Sequence, residues 1–214
     1  MKTFDTYLGI EPFTVLVDDS PPLQTLIEQA QAVRSLPFAE KLQAVKDLTL
    51  SAMVNAYEEM LVWGKAAREA TSETAYSEAK QKKEHYQNLV FQKHPLSTAL
   101  AQQAGCCRYQ GALFFVLGYE ANLGDHQFIH AAPVNRSVNT VFNEVVDGNT
   151  SHKVSIFTKS LKDKAFDYSR QNPRIFEQAF ASLPGRDFYS YHQTERGLVI
   201  VEEKNKHVRT IFKV

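Results

Sequence analysis

Apolar residues recur at helical spacing through the first half of the chain and alternate through much of the second. Asp18, Asp19 and Ser20 offer N-caps, and Pro21-Pro22 suits a first turn. Leu23, Leu26, Ile27, Ala30 and Val33 then follow three or four residues apart, until Ser35-Leu36-Pro37 breaks the helix. A second helical pattern runs through Leu42, Val45, Leu48, Ala52, Met53, Ala56, Tyr57 and Met60. A third, from Lys65 to Gln92, is rich in Ala, Glu, Lys and Gln, with Tyr76, Tyr86 and Leu89 as anchors. It reads as a solvated outer helix with a break near Thr71-Ser72, and Lys80 to Lys83 as a solvated face. His94-Pro95 stops it. Leu96, Ala99 and Leu100 predict a short helix closed by Gly105 as a C-terminal cap. A new helix begins at Cys106 or Cys107. Its Gly111-Ala112-Leu113-Phe114-Phe115-Val116-Leu117 is apolar on every face, which predicts a central, buried helix ended by Asn122-Leu123-Gly124.

Strand patterns follow. His126 to Ala131 is one. Val138 to Val146 alternates and meets Asp147-Gly148-Asn149, a strong hairpin turn, after which Lys153 to Thr158 returns. Leu161 to Leu183 is mixed, with helix expected around Pro173 to Ser182. Gly197 to Glu203 and His207 to Val214 form a second hairpin across Lys204-Asn205-Lys206. Helices first and a mostly antiparallel sheet afterwards predict an α+β fold. Its parts are a helical N-terminal region, 1–94, and a core, 95–214, in one compact unit.

Composition narrows the functional classes. Lys and Arg number 24 against 24 Asp and Glu, so no global field draws in nucleic acid or an anionic membrane. The longest apolar run, Ala112 to Leu117, is far short of the roughly 20 residues of a membrane span. No apolar signal segment follows Met1-Lys2-Thr3. The only cysteines are the neighbours Cys106 and Cys107, for which a disulfide is strained. That suits a reducing cytosol, the cell's own or a host's. The cysteine pair and scattered histidines do not have zinc spacing, no glycine-rich phosphate loop is present, and no cofactor is expected. Trp63, the single tryptophan, reads as a core or interface residue.

The candidate chemistry centres on Cys107. A thiol in the first turn of a buried helix faces outward-pointing N–H groups and the positive end of the helix dipole. Both favour the thiolate, the reactive form. The same N–H groups could receive an oxyanion, and Arg108 adds positive charge. Cysteine is also a common small buried residue, and that bland reading stands beside the functional one.

The stretch from Pro95 to Leu100, followed by Gly105-Cys106-Cys107-Arg108-Tyr109-Gln110-Gly111-Ala112-Leu113-Phe114-Phe115-Val116-Leu117, resembles the nucleophile segment of transglutaminase-like (papain-superfamily) proteins. Asn139-Thr140-Val141-Phe142-Asn143-Glu144-Val145, with a hairpin turn after it, resembles the family's next motif. The likeness covers about residues 95 to 168. It implies a buried nucleophile helix packed on a mostly antiparallel sheet, and acyl transfer at a protein amide through a thioester. It implies Cys107 as nucleophile, position 139 as the base, and Asp167 as the residue that orients the base. Cys106, Arg108 and Asn143 would support the site.

The chain departs from that pattern at Asn139, where the family has histidine. An amide does not titrate near neutrality and is no general base. Three readings stay open: a pseudoenzyme, an introduced substitution, or a base supplied by another histidine. Of His126, His130 and His152, His130 on the preceding strand is preferred. Asp167 requires an insertion after position 139, and the shorter alignment puts Thr158 in its place. The functional alternatives are therefore an acyl-transfer enzyme, in the manner of a bacterial effector, and a dead domain of the same fold that binds a protein partner.

Overall fold

The computed structural model describes residues 6–8, 15–133, 139–154, 189–194, 197–202 and 207–212. Two short strands, β1 (Thr6–Leu8) and β2 (Val15–Val17), pair antiparallel ahead of the first helix. Helix α1 (Pro21–Ala32) starts as its prolines dictate, with Ser20 extended at the N-cap. The Ser20 hydroxyl makes no cap bond. Asp18 turns instead to Ser97, accepting from its backbone N–H at 2.9 Å and from its hydroxyl.

The second apolar pattern is two helices rather than one. Helix α2 (Phe38–Ala52) stops where Met53 turns extended, β3 (Val54–Asn55) follows, and α3 (Ala56–Glu69) begins anew. The Asn55 side chain causes the restart: its Oδ1 accepts from the N–H groups of Tyr57 at 3.0 Å and Glu58 at 3.3 Å. Helix α4 (Glu73–Phe91) follows a break at residues 70–72, capped by Ser72, whose Oγ accepts from Ala75 N–H at 3.2 Å. Helices α3 and α4 pack chiefly on each other, with Lys82 Nζ 4.1 Å from the Trp63 ring centroid.

Helix α5 (Leu96–Ala101) is closed by Gln103, which takes the left-handed conformation at φ 49°. Gly105 is not the cap that the sequence suggests. It lies in β4 (Ala104–Gly105), which pairs parallel with β3 through Val54–Ala104 and Asn55–Gly105. Glycine is needed there for space. A Cβ on it would lie 2.8 Å from Met53 Sδ and 2.9 Å from Tyr109 Cβ.

Helix α6 (Cys107–Glu120) is the centre of the core, buried almost throughout its length. Leu113, Phe114, Phe115 and Leu117 are fully enclosed, each side chain contributing about 1.5–3 kcal/mol by burial. Leu23, Ile27 and Ala30 of α1 and Val45 of α2 join the same core, so the N-terminal helices cover one side of α6. Arg34 locks the far end: its Nη2 is 3.2 Å from the buried Glu120 carboxylate and its Nε donates to the Glu120 carbonyl at 2.5 Å.

The other side of α6 rests on an antiparallel sheet in the order β5 (His126–Pro133), β6 (Asn139–Asp147), β7 (Thr150–Val154). Asp147 and Thr150 pair across a tight turn in which Gly148 has φ 57°, as the Asp-Gly-Asn signal predicts. A further antiparallel sheet, β8 (Tyr189–Thr194), β9 (Gly197–Glu202) and β10 (His207–Phe212), contains the expected second hairpin. The whole is a mixed helix-and-strand fold in which, unlike the helices-first order expected from sequence, a short strand pair precedes the helices and the longer strands follow them. Among the described residues no helix is long and apolar enough to cross a membrane. The helix expected around 173–182 lies outside the described residues.

Candidate functional site

Cys106 is the N-cap of α6 and Cys107 its first residue. The parallel pairing of Gly105 with Asn55 delivers the chain to this point, and the Cys106 carbonyl starts the helix by accepting from Tyr109 N–H at 2.9 Å and Gln110 N–H at 3.1 Å. Gln110 is buried and ties the helix start to the α2–α3 junction. Its Nε2 donates to the Met53 carbonyl at 3.3 Å, and its Oε1 accepts from Asn55 Nδ2 at 3.2 Å. The thiols therefore rest on a fixed backbone.

The two sulfurs differ in access. Cys106 is 7% exposed, whereas Cys107 is half-buried. The Cys106 thiol is lowered to about 7, first by a hydrogen bond from the Cys107 side chain. Burial opposes the shift. The Arg108 guanidinium and the amides of Arg108 and Tyr109 reinforce it. Those amides act on the sulfur as the positive end of the helix, without a formal side-chain cap bond.

Arg108 serves the neighbouring helix as well. It is buried, and its Nη2 donates to the Gln92 carbonyl at 2.7 Å and the Val90 carbonyl at 3.1 Å, at the C-terminal end of α4. A cation there satisfies carbonyls that the helix leaves over and meets the negative end of its dipole. Cys106 Sγ approaches the same Val90 oxygen at 4.0 Å. Thiol and guanidinium thus converge on one carbonyl. The structure gives Arg108 this anchoring role in addition to the charge expected from sequence.

Strand β6 runs beside α6 in the same direction. Gly111, one turn into the helix, faces Val141 and Asn143, whereas Gly124, past its end, faces Val145 and Val146. The start of β6 at Asn139 accordingly lies at the end of the sheet where α6 begins. Val141, Asn143 and Val145 are buried, and Asn139 holds the next register position of that alternation. Asn143 fastens strand to helix, its Nδ2 donating to the Gly111 carbonyl at 3.0 Å, while its buried Oδ1 has no partner. Asn143 is therefore a packing anchor one helical turn from the thiols.

His130 pairs across the sheet with Phe142, in the other alternation from Asn143, and His126 pairs with Val146. His152 lies on β7, its ring 4.7 Å from Phe38. Asp167 and Thr158 lie outside the described residues. One imidazole near the site was not singled out from sequence. His94 stacks on Tyr109 at 4.3 Å with an interplanar angle of 2°. Its Nδ1 lies 3.2 Å from the Pro95 carbonyl and its Nε2 3.3 Å from the Leu89 carbonyl. The ring is thus stacked on Tyr109 and edged by two backbone carbonyls, so His94 supports Tyr109. Burial raises the Tyr109 phenol above its usual range, and the phenol oxygen accepts from the His94 N–H at 3.1 Å. Aromatic spacing in the sequence carries no signal for this contact.

No family model, curated protein or solved structure matches this chain. Among the described residues no three His, Cys, Asp or Glu side chains cluster to hold a metal. What the arrangement offers is a pair of adjacent thiols at the start of a buried helix, Cys107 half-buried and Cys106 enclosed, with the Cys106 thiol lowered by its neighbours.

Proposed function

We propose that the chain is a transglutaminase-like cysteine enzyme that transfers or hydrolyses an acyl group at a protein amide through a thioester on Cys107. The observation that carries this reading is the half-buried Cys107 at the first position of a buried helix, beside a thiol lowered to about 7. A nucleophilic thiol needs to be accessible and fixed, and Cys107 is both, while the thiol that ionises readily is its enclosed neighbour Cys106. The start of β6 at the same end of the sheet supports it further, since position 139 is the family's base position. In this reading Cys107 attacks the carbonyl carbon, helix amides hold the oxyanion, the amine departs, and water or a second amine releases the acyl group. Asp167 would orient an imidazole standing at position 139. The substrate is a protein and the setting a reducing cytosol, the cell's own or a host's.

Asn139 favours one second reading, a catalytically silent domain of the same kind that holds a protein partner. The two separate in one experiment. The protein and its Asn139→His variant are incubated with a glutamine-containing peptide ester, and intact mass is followed. An acyl adduct on Cys107, lost in Cys107→Ser, is the expected result. Asn139→His should accelerate it by roughly 10²–10⁴-fold, the worth of a general base. Folded protein that gives no adduct in either form overturns the enzyme reading in favour of the binding one.

A further inference from the structure

A thiol nucleophile needs somewhere to send its proton, and position 139 holds an amide. Of the histidines whose side chains are described, His94 stacks on Tyr109, His152 lies on Phe38, and His85 sits beside Tyr86 on α4. The geometry points to Cys106 as the proton acceptor for Cys107, the enclosed thiol at the N-cap taking the proton of the accessible thiol beside it. This rests on the acyl-transfer reading for its purpose, though not for its test.

Three features carry the assignment. The residues are adjacent at the helix start, and their side chains hydrogen-bond. Cys106 is largely enclosed, so it is poorly placed to attack a carbonyl itself, while its small remaining exposure leaves it able to exchange a proton. Arg108, itself buried, and Cys106 converge on the Val90 carbonyl, which sets a fixed cation near the enclosed sulfur. The titratable and charged groups acting around that sulfur are Cys107, Arg108 and Tyr109, with His94 stacked behind Tyr109. The lowering to about 7 agrees, because a base poised near the working pH is the most effective.

Adjacency also protects the pair. Neighbouring Cα atoms across a trans peptide are about 3.8 Å apart, below the roughly 4.4–6.8 Å that disulfides span. The two sulfurs can pass a proton without readily locking together.

The cycle balances. The Cys106 thiolate takes the proton from Cys107 as the Cys107 sulfur bonds to the carbonyl carbon and the carbonyl electron pair moves to oxygen. When the tetrahedral species collapses, the carbon–nitrogen bond breaks and the amine leaves with the proton from Cys106. That restores the Cys106 thiolate beside a Cys107 thioester. The incoming water or amine then gives its proton to Cys106 as it attacks. The carbon–sulfur bond breaks, and the proton returns to Cys107.

The test needs no substrate. Iodoacetamide labelling of Cys107 is followed against pH by peptide mapping in the native chain, Cys106→Ser and Cys106→Ala, with circular dichroism confirming the fold. The native midpoint should lie clearly below that of a free thiol. Both variants should move toward the free-thiol value of about 8.5, slowing labelling at neutral pH roughly tenfold. A midpoint unchanged in a folded variant overturns the assignment. Should the variants not fold, thiolate ultraviolet absorbance of the native chain decides. One thiolate forming near 7 and the second only well above it supports a shared proton. Both forming in a single step overturns it. A shifted midpoint without any acyl adduct would sink the enzyme reading and leave the proton sharing intact.

Discussion

Replacing Gly105 with alanine tests how the helix that presents the thiols is held. The new Cβ would lie 2.8 Å from Met53 Sδ, 2.9 Å from Tyr109 Cβ and 3.5 Å from Ala99 Cβ. Two of these contacts are closer than folded proteins tolerate. Met53 can swing its sulfur aside, but Tyr109 Cβ is fixed to the backbone of the first turn of α6. Relief must therefore come partly from moving that turn. Overpacking of this kind costs about 1–3 kcal/mol. In a chain of this size about 2 kcal/mol lowers the melting temperature by roughly 4–8 °C. Gly148→Ala is the control, since nothing lies within 4 Å of its Cβ position and only its φ of +57° resists. That backbone penalty is about 1–2 kcal/mol. The assays are urea unfolding and a double-mutant cycle with Met53→Ala. Gly105→Ala should cost less in the Met53→Ala background without becoming neutral, because the Tyr109 contact persists. It should also shift the pH midpoint of Cys107 labelling, which Gly148→Ala should leave alone. A loss below about 0.5 kcal/mol, or no coupling to Met53, would refute the packing account.

Three measurements extend the argument. Stability should rise from pH 7 to 9 in the native chain relative to Cys106→Ser, because the lowered thiol makes the unfolded state bind more protons across that window; parallel urea midpoints would refute it. Arg108→Met should raise the labelling midpoint of Cys107, through loss of the cation beside Cys106, and destabilise by about 2–4 kcal/mol as the Val90 and Gln92 carbonyls lose their donor; urea unfolding and the pH profile check the two parts. Glu120→Ala should cost about 1–3 kcal/mol in urea unfolding, since Gln31 Nε2 at 2.7 Å and Arg34 at 3.2 Å both lose their acceptor.

Some of this architecture is plain in the sequence. Prolines at 21 and 22 start α1, the unbroken apolar run of α6 places it at the centre, and Asp147-Gly148-Asn149 turns the hairpin. Local chemistry decides each of these. The division between α2 and α3 is hidden because apolar spacing continues across Met53, and only the cap at Asn55, held to Gln110 far along the chain, breaks it. Gly105 misleads for a related reason. Glycine can mean a left-handed cap or a place with no room, and here Gln103 accepts the left-handed turn while Gly105 fills the tight place. At the site, the position of Cys107 at the start of the buried helix is legible from the apolar run that follows it. The ionisation of Cys106 is not, because it depends on how the Cys107 side chain meets it and on the buried Arg108, which tertiary packing holds against the end of α4.

The two-rung parallel bridge between β3 and β4 has a topological consequence. It closes an excursion of about fifty residues, in which α3 and α4 touch mainly each other, at an entropic cost that grows only slowly with the excursion's length. Entry and exit lie side by side, so that arm can lengthen, shorten or fray while the neck that leads to Cys106 stays shut. Evolution could therefore rebuild the outer part of the arm, short of the Val90 and Gln92 carbonyls that hold Arg108, without resetting the thiols. In amide hydrogen exchange, α3 and α4 should open together as one unit at lower free energy than α6.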